Sequence, residues 1–337
     1  MVAQHLARWV AAGTVSPDEL AQALEVVLAG HASDVEQAAL LAWLRGRGDR
    51  ADDVVAAATV LRRHMVPLDV GGVEVVDTCG TGGDGQGLFN ISTAAALVAA
   101  ACGVPVVKHG NRGVSSTSGS ADVLAALGWP LDRSVDDVAR GFANTGFAFC
   151  FAPQHHPAMR HVAAVRRQLK FRTLFNLVGP LVNPAGAKRQ VVGVGEPALM
   201  DIMAAALQRL GTRRAFVVHG EGGVDELTLA GTTDVIEVTP DGLRRRTWTP
   251  EDFGLVRQDL ASCRVADATH SAAVIRAVLA GVPGPAADAV VLNAAAALLV
   301  ADASPDPATA AATARAALAT GRAAALLAAA TATDAGA

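Results

Sequence analysis

Val73-Glu74-Val75-Val76-Asp77 leads directly into Thr78-Cys79-Gly80-Thr81-Gly82-Gly83-Asp84-Gly85, and this junction decides the fold. A β-branched run stops at a loop with four glycines in six residues, and Asn90-Ile91-Ser92-Thr93 then opens an Ala-rich helical stretch. Strand, glycine loop and helix in that order start a crossover unit with parallel pairing. Residues 104–108, 147–151, 190–194 and 215–219 repeat the pattern, each strand ending at a Gly-rich or polar loop. Ligands of open α/β sheets gather at such carboxyl ends. Residues 234–238 and 243–248 flank a Pro240-Asp241-Gly242 turn and predict an antiparallel pair. From Thr269 the chain reads as helical, and 307–330 fits either a helix pair or a frayed tail.

Upstream, residues 1–70 read as three short helices. Two open with capping boxes, Ser16-Pro17-Asp18-Glu19 and Ser33-Asp34-Val35-Glu36, with Gly30 and Gly46 as stops. The third spans about 52–65, with Val54, Val55, Ala58 and Leu61 at helical spacing before Pro67. The expected architecture is therefore α/β: a small N-terminal helical domain over 1–70, open to completion by a later helical segment, and a larger domain over 71–337 around a mainly parallel sheet.

Bulk properties narrow the function. A chain of 337 residues, 51% hydrophobic, can bury a large core. No uninterrupted apolar run reaches membrane length and the N-terminus lacks a signal-peptide core, so a soluble, cytoplasmic protein is expected. Cys79, Cys102, Cys150 and Cys263 are scattered without a CxxC pair, which suggests reduced thiols. A net charge of −4 gives no reason to expect nucleic-acid binding.

The glycine loop removes Cβ atoms that would keep a phosphate from backbone N–H groups, and the following helix N-terminus adds oriented donors. It lacks the GK[ST] of a Walker loop, and a tight turn accounts for the glycines alone equally well. The loop from Lys108 to Ser120 packs Lys108, Arg112 and five hydroxyls between glycines, an environment for a polyanion, although solvated loops also collect Ser and Gly. After Pro157, Met159, Val162, Ala163 and Arg166 share a helical face, and the planar fork of an arginine suits a carboxylate, although a solvated helical arginine accounts for the residue as well and the pattern alone does not choose Arg166 over Arg167. Asp225-Glu226 in a Gly-rich loop can hold Mg²⁺ through oxygen ligands, while such pairs alone are more often just solvated. His155-His156 lacks a third metal ligand at sensible spacing; these histidines start the helix or line a pocket. Trp43, Trp129 and Trp248 read as packing residues.

Together, GTGGDG (80–85), NIST (90–93), KHGNR (108–112), SSTSGSADVLAALG (115–128), HPAMRHVAAVRRQLKFRTLFNLVGPLVNPA (156–185) and VDEL (224–227) resemble the successive signatures of anthranilate phosphoribosyltransferases over nearly the whole chain. The resemblance implies the architecture shared with pyrimidine nucleoside phosphorylases and a homodimer formed through the helical domain. It also implies transfer of the phosphoribosyl group of phosphoribosyl pyrophosphate to anthranilate, with Mg²⁺ as cofactor. Carried over residue by residue, it assigns phosphoribosyl pyrophosphate to Gly80, Gly83, Asp84, Asn90, Ser92, Thr93, Lys108, Gly110, Asn111, Arg112, Ser115, Ser116 and Ser120. Anthranilate falls to Gly80, His109, Asn111, His156, Arg166 and Gly179, and the metal to Ser92, Asp225 and Glu226. Lys108, Asn111 and Arg166 are the expected catalytic residues.

Two departures are visible: Leu88 where the family often has Ser or Thr, and Cys79 where it has Val. The KxSGRG and HTGG patterns of the nucleoside phosphorylases are absent. The acidic balance and the intact Asp225-Glu226 pair argue against an inert, nucleic-acid-binding relative.

Overall fold

A computed structural model describes residues 2–113 and 118–332. Four helices begin the chain: α1 (Val2–Ala12), α2 (Pro17–Leu28), α3 (Asp34–Arg47) and α4 (Ala51–Arg63). Both capping boxes form, with Ser16 over Glu19 and Ser33 over Glu36. The reading of three helices missed α1, and it placed a stop at Gly46; that residue lies inside α3, and Gly48, at φ 95°, ends the helix.

The remaining chain alternates as expected. In order come β1 (Val76–Gly80), α5 (Ile91–Ala101), β2 (Val106–Gly110), α6 (Ser120–Leu127), α7 (Val135–Thr145), β3 (Phe147–Phe151), α8 (Ala152–His155), α9 (Arg160–Leu169), α10 (Leu174–Val178), β4 (Arg189–Gly193), α11 (Met200–Arg209) and β5 (Arg214–Gly220). The hairpin β6 (Thr233–Thr239) and β7 (Gly242–Trp248) follows, then α12 (Ala268–Leu279), α13 (Pro285–Val300), α14 (Pro307–Ala319) and α15 (Arg322–Thr331). The Ala-rich end is thus a helix pair, not a frayed tail.

The seven strands run in the order β3-β2-β1-β4-β5-β6-β7. The first five are parallel, and β6 and β7 are antiparallel. From β1 the chain winds outward through β2 and β3, then returns to β4 on the other side of β1. The β1/β4 boundary is therefore a switch point, where departing loops open a crevice.

One face of the sheet is covered by α5, α6 and α12–α15. Within it α13 is buried almost all round, and its alanines let it lie close against α5. The other face packs against α2–α4 and α11, with α9 and α10 wedged against α2, α3 and α4. On α9 the buried positions are Val162 and Val165, whereas Ala163, expected on that face, is exposed. The buried stripe runs through Val162 and Val165, and Ala163 lies about 100° round the helix from Val162, off that stripe. Trp129 and Trp248 pack edge-on against Phe147 and against Phe216 and Phe253, as expected of core residues.

Candidate active site

The glycine loop leaves β1 where Gly80 pairs with Gly193 of β4. Gly82 and Gly83 both lie in the left-handed region, at φ 65° and 79°, so the chain turns within two residues and the Thr81 N–H reaches the Gly193 carbonyl at 2.9 Å. Asp84 receives the Gln86 N–H at 3.0 Å, and the Gln86 amide ties the loop to the Gly222 carbonyl at 2.8 Å. The Thr81 and Thr93 hydroxyls are buried with no protein partner. Two buried hydroxyls with no protein partner beside a glycine loop offer hydrogen bonds to the oxygens of a phosphate.

At the first turn of α5, Lys108, Ser92 and Glu226 come together from three elements. Lys108 is 2% exposed; its ammonium donates to the Thr78 carbonyl and, at 3.3 Å, to Ser92 Oγ. The Ser92 N–H donates to Glu226 Oε1 at 3.0 Å. Asp225 is seated by a close backbone crossing: a Cβ on Gly193 would stand 1.6 Å from its carbonyl oxygen. Burial raises both carboxylates above their usual pKa; the nearby Glu226 and Asp84 charges push Asp225 further, while Lys108 and the Ser92 hydrogen bonds oppose the rise at Glu226. Among the described residues, no group of three or more His, Cys, Asp or Glu side chains is arranged to hold a metal ion. The donors present are two carboxylates and a hydroxyl, an oxygen-only set whose crowding a hard cation would relieve. This fits Mg²⁺, which takes one or two carboxylates and fills its shell with water and substrate phosphates.

The second loop follows β2. Asp122, a residue that sequence reasoning passed over, staples it by accepting the Gly113 and Gly119 N–H groups at 2.8 and 3.0 Å and Arg112 Nη1 at 2.9 Å. Asn111 accepts the Ala121 N–H through its carbonyl at 3.1 Å. Ser120 opens α6 with its Oγ over Gly110, 1.9 Å from where a Cβ there would stand. Asn90, assigned to the phosphoribosyl site, spends its side chain on Ser118 and Ser271, and so ties this loop to α12. Ser115 and Ser116 lie outside the described residues.

On the other face of the sheet, His109 and His156 pack with ring centroids 4.9 Å apart. His109 shares a hydrogen bond between Nδ1 and the Gly179 carbonyl at 3.3 Å, and its Nε2 is buried without a partner. Burial, then the neighbouring His156, pushes His109 down to about 3; burial, then His155, pushes His156 down to about 4. Both rings are therefore neutral near pH 7. Arg166, in the last turn of α9, reaches Asn176 Oδ1 at 3.5 Å and lies 5.8 Å over the Phe175 ring, while burial lowers its pKa from the usual guanidinium value. Since α10 carries Phe175 and Asn176 and ends at Gly179, one short helix links the Arg166 end to the His109 end.

Two further residues escaped the sequence reading. Asn293 of α13 clamps Leu227 through its N–H and carbonyl at 3.0 and 2.9 Å, which fixes the Asp225-Glu226 loop, and Ser271 holds Asn90. Both act from distant helices with no local motif. Of the departures, Leu88 packs against the core and bridges Arg264, and Cys79 receives the Gln190 amide at 3.8 Å.

Comparison with known proteins identifies the family and its two domains. The glycosyl transferase family helical bundle domain matches residues 3–65, and the glycosyl transferase family a/b domain matches 72–324. No helix among the described residues is long and apolar enough to cross a membrane. The anthranilate phosphoribosyltransferase of Thermus thermophilus superposes with a TM-score of 0.89 at 45% identity, covering 96% of this chain and 97% of that one. A Saccharomyces cerevisiae anthranilate phosphoribosyltransferase solved with phosphoribosyl pyrophosphate and Mg superposes with a TM-score of 0.86 at 27% identity, covering 93% and 92%. The anthranilate phosphoribosyltransferase of Moorella thermoacetica is 48% identical over 304 residues, 90% of each chain, and that of Azorhizobium caulinodans is 49% identical over 294 residues, 86% of this chain and 85% of its own. With both domains matched in order and sequence identity near one half over most of its length, the chain belongs to the anthranilate phosphoribosyltransferase family.

Proposed function

We propose that this protein transfers the phosphoribosyl group of phosphoribosyl pyrophosphate to the amino group of anthranilate, releasing pyrophosphate, in the second step of tryptophan synthesis from chorismate. The observation that carries the reading is the meeting of Lys108, Ser92 and Glu226 beneath the glycine loop at the β1/β4 switch point. A buried cation beside carboxylates and a hydroxyl, under a glycine loop with the buried Thr81 and Thr93 hydroxyls unpartnered, suits a pyrophosphate leaving group better than a neutral ligand.

Ser92, Asp225 and Glu226 would hold Mg²⁺, which when bound supplies positive charge against the pyrophosphate. Lys108 supports the same charge from within the sheet, and the loop N–H groups around Gly80, Gly83 and Asp84 bind phosphate oxygens. Thr93, Gly110, Arg112, Ser115, Ser116 and Ser120 complete the phosphoribosyl side, and Asn90 holds that side together. Across the sheet, Arg166 pairs with the anthranilate carboxylate, while Asn111, His109, His156, Gly80 and Gly179 shape the aromatic pocket. The aromatic amine is neutral at physiological pH, so attack needs orientation more than a strong base. Two neutral histidines suit a pocket that takes a flat ring without repelling the amine.

A homodimer through the helical domain fits the exposed Val10 and Val35 on α1 and α3. The small-molecule substrates and a second copy are then the partners, with no nucleic acid or membrane, in the cytoplasm. The test follows anthranilate fluorescence with phosphoribosyl pyrophosphate and Mg²⁺. Loss of fluorescence that depends on both supports the reading; no loss with pure, folded protein overturns it.

A further inference from the structure

We propose that Asp77 and Asn183 form a buried positioning pair that holds His109 and the Gly179 turn as one unit on the acceptor side of the cleft. Neither residue belongs to the substrate sites described above. The inference rests on the proposed reaction for its kinetic consequence, and on geometry alone for the pair itself.

Asp77 lies on the same face of the sheet as Gln190 and His109, with no exposed surface. Besides the Cys79 thiol, its two oxygens serve two N–H donors: Oδ1 accepts the His109 N–H at 3.3 Å, and Oδ2 accepts Asn183 Nδ2 at 2.8 Å. The same Asn183 amide donates to the Val107 carbonyl at 2.7 Å, and its Oδ1 accepts the Ala185 N–H at 2.9 Å. Four residues upstream of Asn183, the Gly179 carbonyl meets His109 Nδ1. Asp77, His109, the 179–183 turn and Asn183 thus close a hydrogen-bonded ring. Gln190 of β4 fastens that turn again through the Pro180 carbonyl at 2.6 Å.

A carboxylate in a dry core is costly, and an apolar pair could fill the same volume. Its placement makes sense if it fixes something that packing cannot. What it fixes is His109 from both ends, its backbone N–H by Asp77 and its ring by the turn that Asn183 anchors. A carbonyl facing Nδ1 makes that nitrogen the protonated one, so Nε2 carries the lone pair. Burial raises Asp77 to about 6, with Lys108 across the sheet opposing the rise, so the carboxylate is ionised at pH 7 and accepts at both oxygens.

The test uses Asp77→Asn, which keeps the shape but satisfies only one of the two donors, and Asn183→Ser, which removes the bridge from the other side. Each variant is expected to raise the Michaelis constant for anthranilate about five- to fifty-fold, the equivalent of one or two hydrogen bonds. The constant for phosphoribosyl pyrophosphate should stay within about twofold in Asn183→Ser, since Lys108 and Ser92 lie on the opposite face; Asp77→Asn also removes a charge that Lys108 faces, so it is read on the anthranilate constant and the tautomer. The double variant should be no worse than the weaker single, because both cut one ring. Nitrogen-15 histidine spectra should show the Nδ1–H tautomer for His109 in the unaltered protein and a mixture in both variants. Folded variants with unchanged anthranilate kinetics, or both Michaelis constants rising in parallel with an unchanged tautomer, overturn the proposal. If neither variant folds, the spectrum of the unaltered protein decides: an Nε2–H tautomer at His109 rejects the ring. Unaltered protein that makes no phosphoribosyl-anthranilate would sink the proposed reaction instead, while the tautomer still tests the pair.

Discussion

Glu226 accepts the Ser92 N–H at 3.0 Å, across 134 residues of sequence, and this bond couples the β5 loop to the N-terminus of α5. The carboxylate takes one of the helix's unpaired donors, and Lys108 reaches Ser92 Oγ from β2. Two strand ends, those of β2 and β5, therefore converge on one turn of helix.

Replacing the acidic pair tests its role as metal site. Asp225→Asn with Glu226→Gln should cut turnover below about one-hundredth, because the charge that holds Mg²⁺ is gone while shape is kept. The melting temperature should hold or rise, since two crowded carboxyls whose ionisation burial disfavours are replaced by neutral amides. Undiminished turnover at limiting Mg²⁺ would reject the assignment.

Arg166 and Lys108 lie on opposite faces of the sheet, so their losses should separate. Arg166→Ala should raise the Michaelis constant for anthranilate by the equivalent of about 1.5–3 kcal/mol, roughly ten- to hundred-fold, with little change for phosphoribosyl pyrophosphate. Lys108→Ala should weaken the pyrophosphate substrate and lower turnover, as charge grows on the leaving group. Measured constants for both substrates, with melting curves, decide. Equal damage to both substrates together with a lower melting temperature would mark Arg166 as structural, through Asn176 and Phe175.

The histidine pair sets a pH dependence of stability. His109 and His156 fall to about 3 and about 4 in the fold, against 6.5 for an exposed ring. As pH falls through 6.5 the unfolded chain binds these protons first, so stability is full above that value and is lost below it, by about 1.4 kcal/mol per pH unit for each proton. Asp77, raised to about 6 from 3.8, has the opposite sign, because the folded state binds its proton first as pH drops below 6. Asp225 and Glu226, also raised by burial, act in the same direction as Asp77, so the histidine contribution is read from the difference between the unaltered protein and a variant. Between pH 6.5 and 5 the melting temperature of the unaltered protein should decline relative to that of His156→Phe as pH falls; the same pH dependence in both contradicts the burial of the His156 ring.

Much of this was legible in local pattern. Alternating strands and glycine loops placed β1 to β5 within three residues, and β3 matched over 147–151. The capping boxes at Ser16 and Ser33 are local chemistry, and both formed. Helix α1 was missed because it has no capping signal of that kind, and Trp9 and Trp43 hold it by stacking. Gly46 was misjudged because a glycine within a helix costs only about 1 kcal/mol and does not by itself end one. Asp122, Ser271 and Asn293 were invisible for another reason. Each binds backbone or amide groups that the fold alone brings near, so no spacing rule marks them. Asp77 was visible only as the last residue of a strand.

Gly193 offers the most demanding check on how the metal pair is seated. A Cβ built there would lie 1.6 Å from the Asp225 carbonyl oxygen and 2.5 Å from its carbon. Both are backbone atoms, so no rotamer change can relieve the clash. Gly193→Ala must push the 221–227 loop outward, and that loop is pinned at its far end by Asn293 on Leu227. The strain therefore falls on Asp225 and Glu226. A loss of about 1–3 kcal/mol in stability is expected from the overpacking, with a turnover defect larger than that loss explains and a raised Mg²⁺ requirement. Gly46→Ala is the control: it sits in α3 with nothing within 4 Å of the added carbon and should gain about 0.4–1 kcal/mol. Chemical denaturation of both variants, with Mg²⁺ titrations of the activity, separates the outcomes. Gly193→Ala with normal stability and normal Mg²⁺ dependence would mean that the β5 loop does not cross β4 as described, and the metal assignment would fall with it.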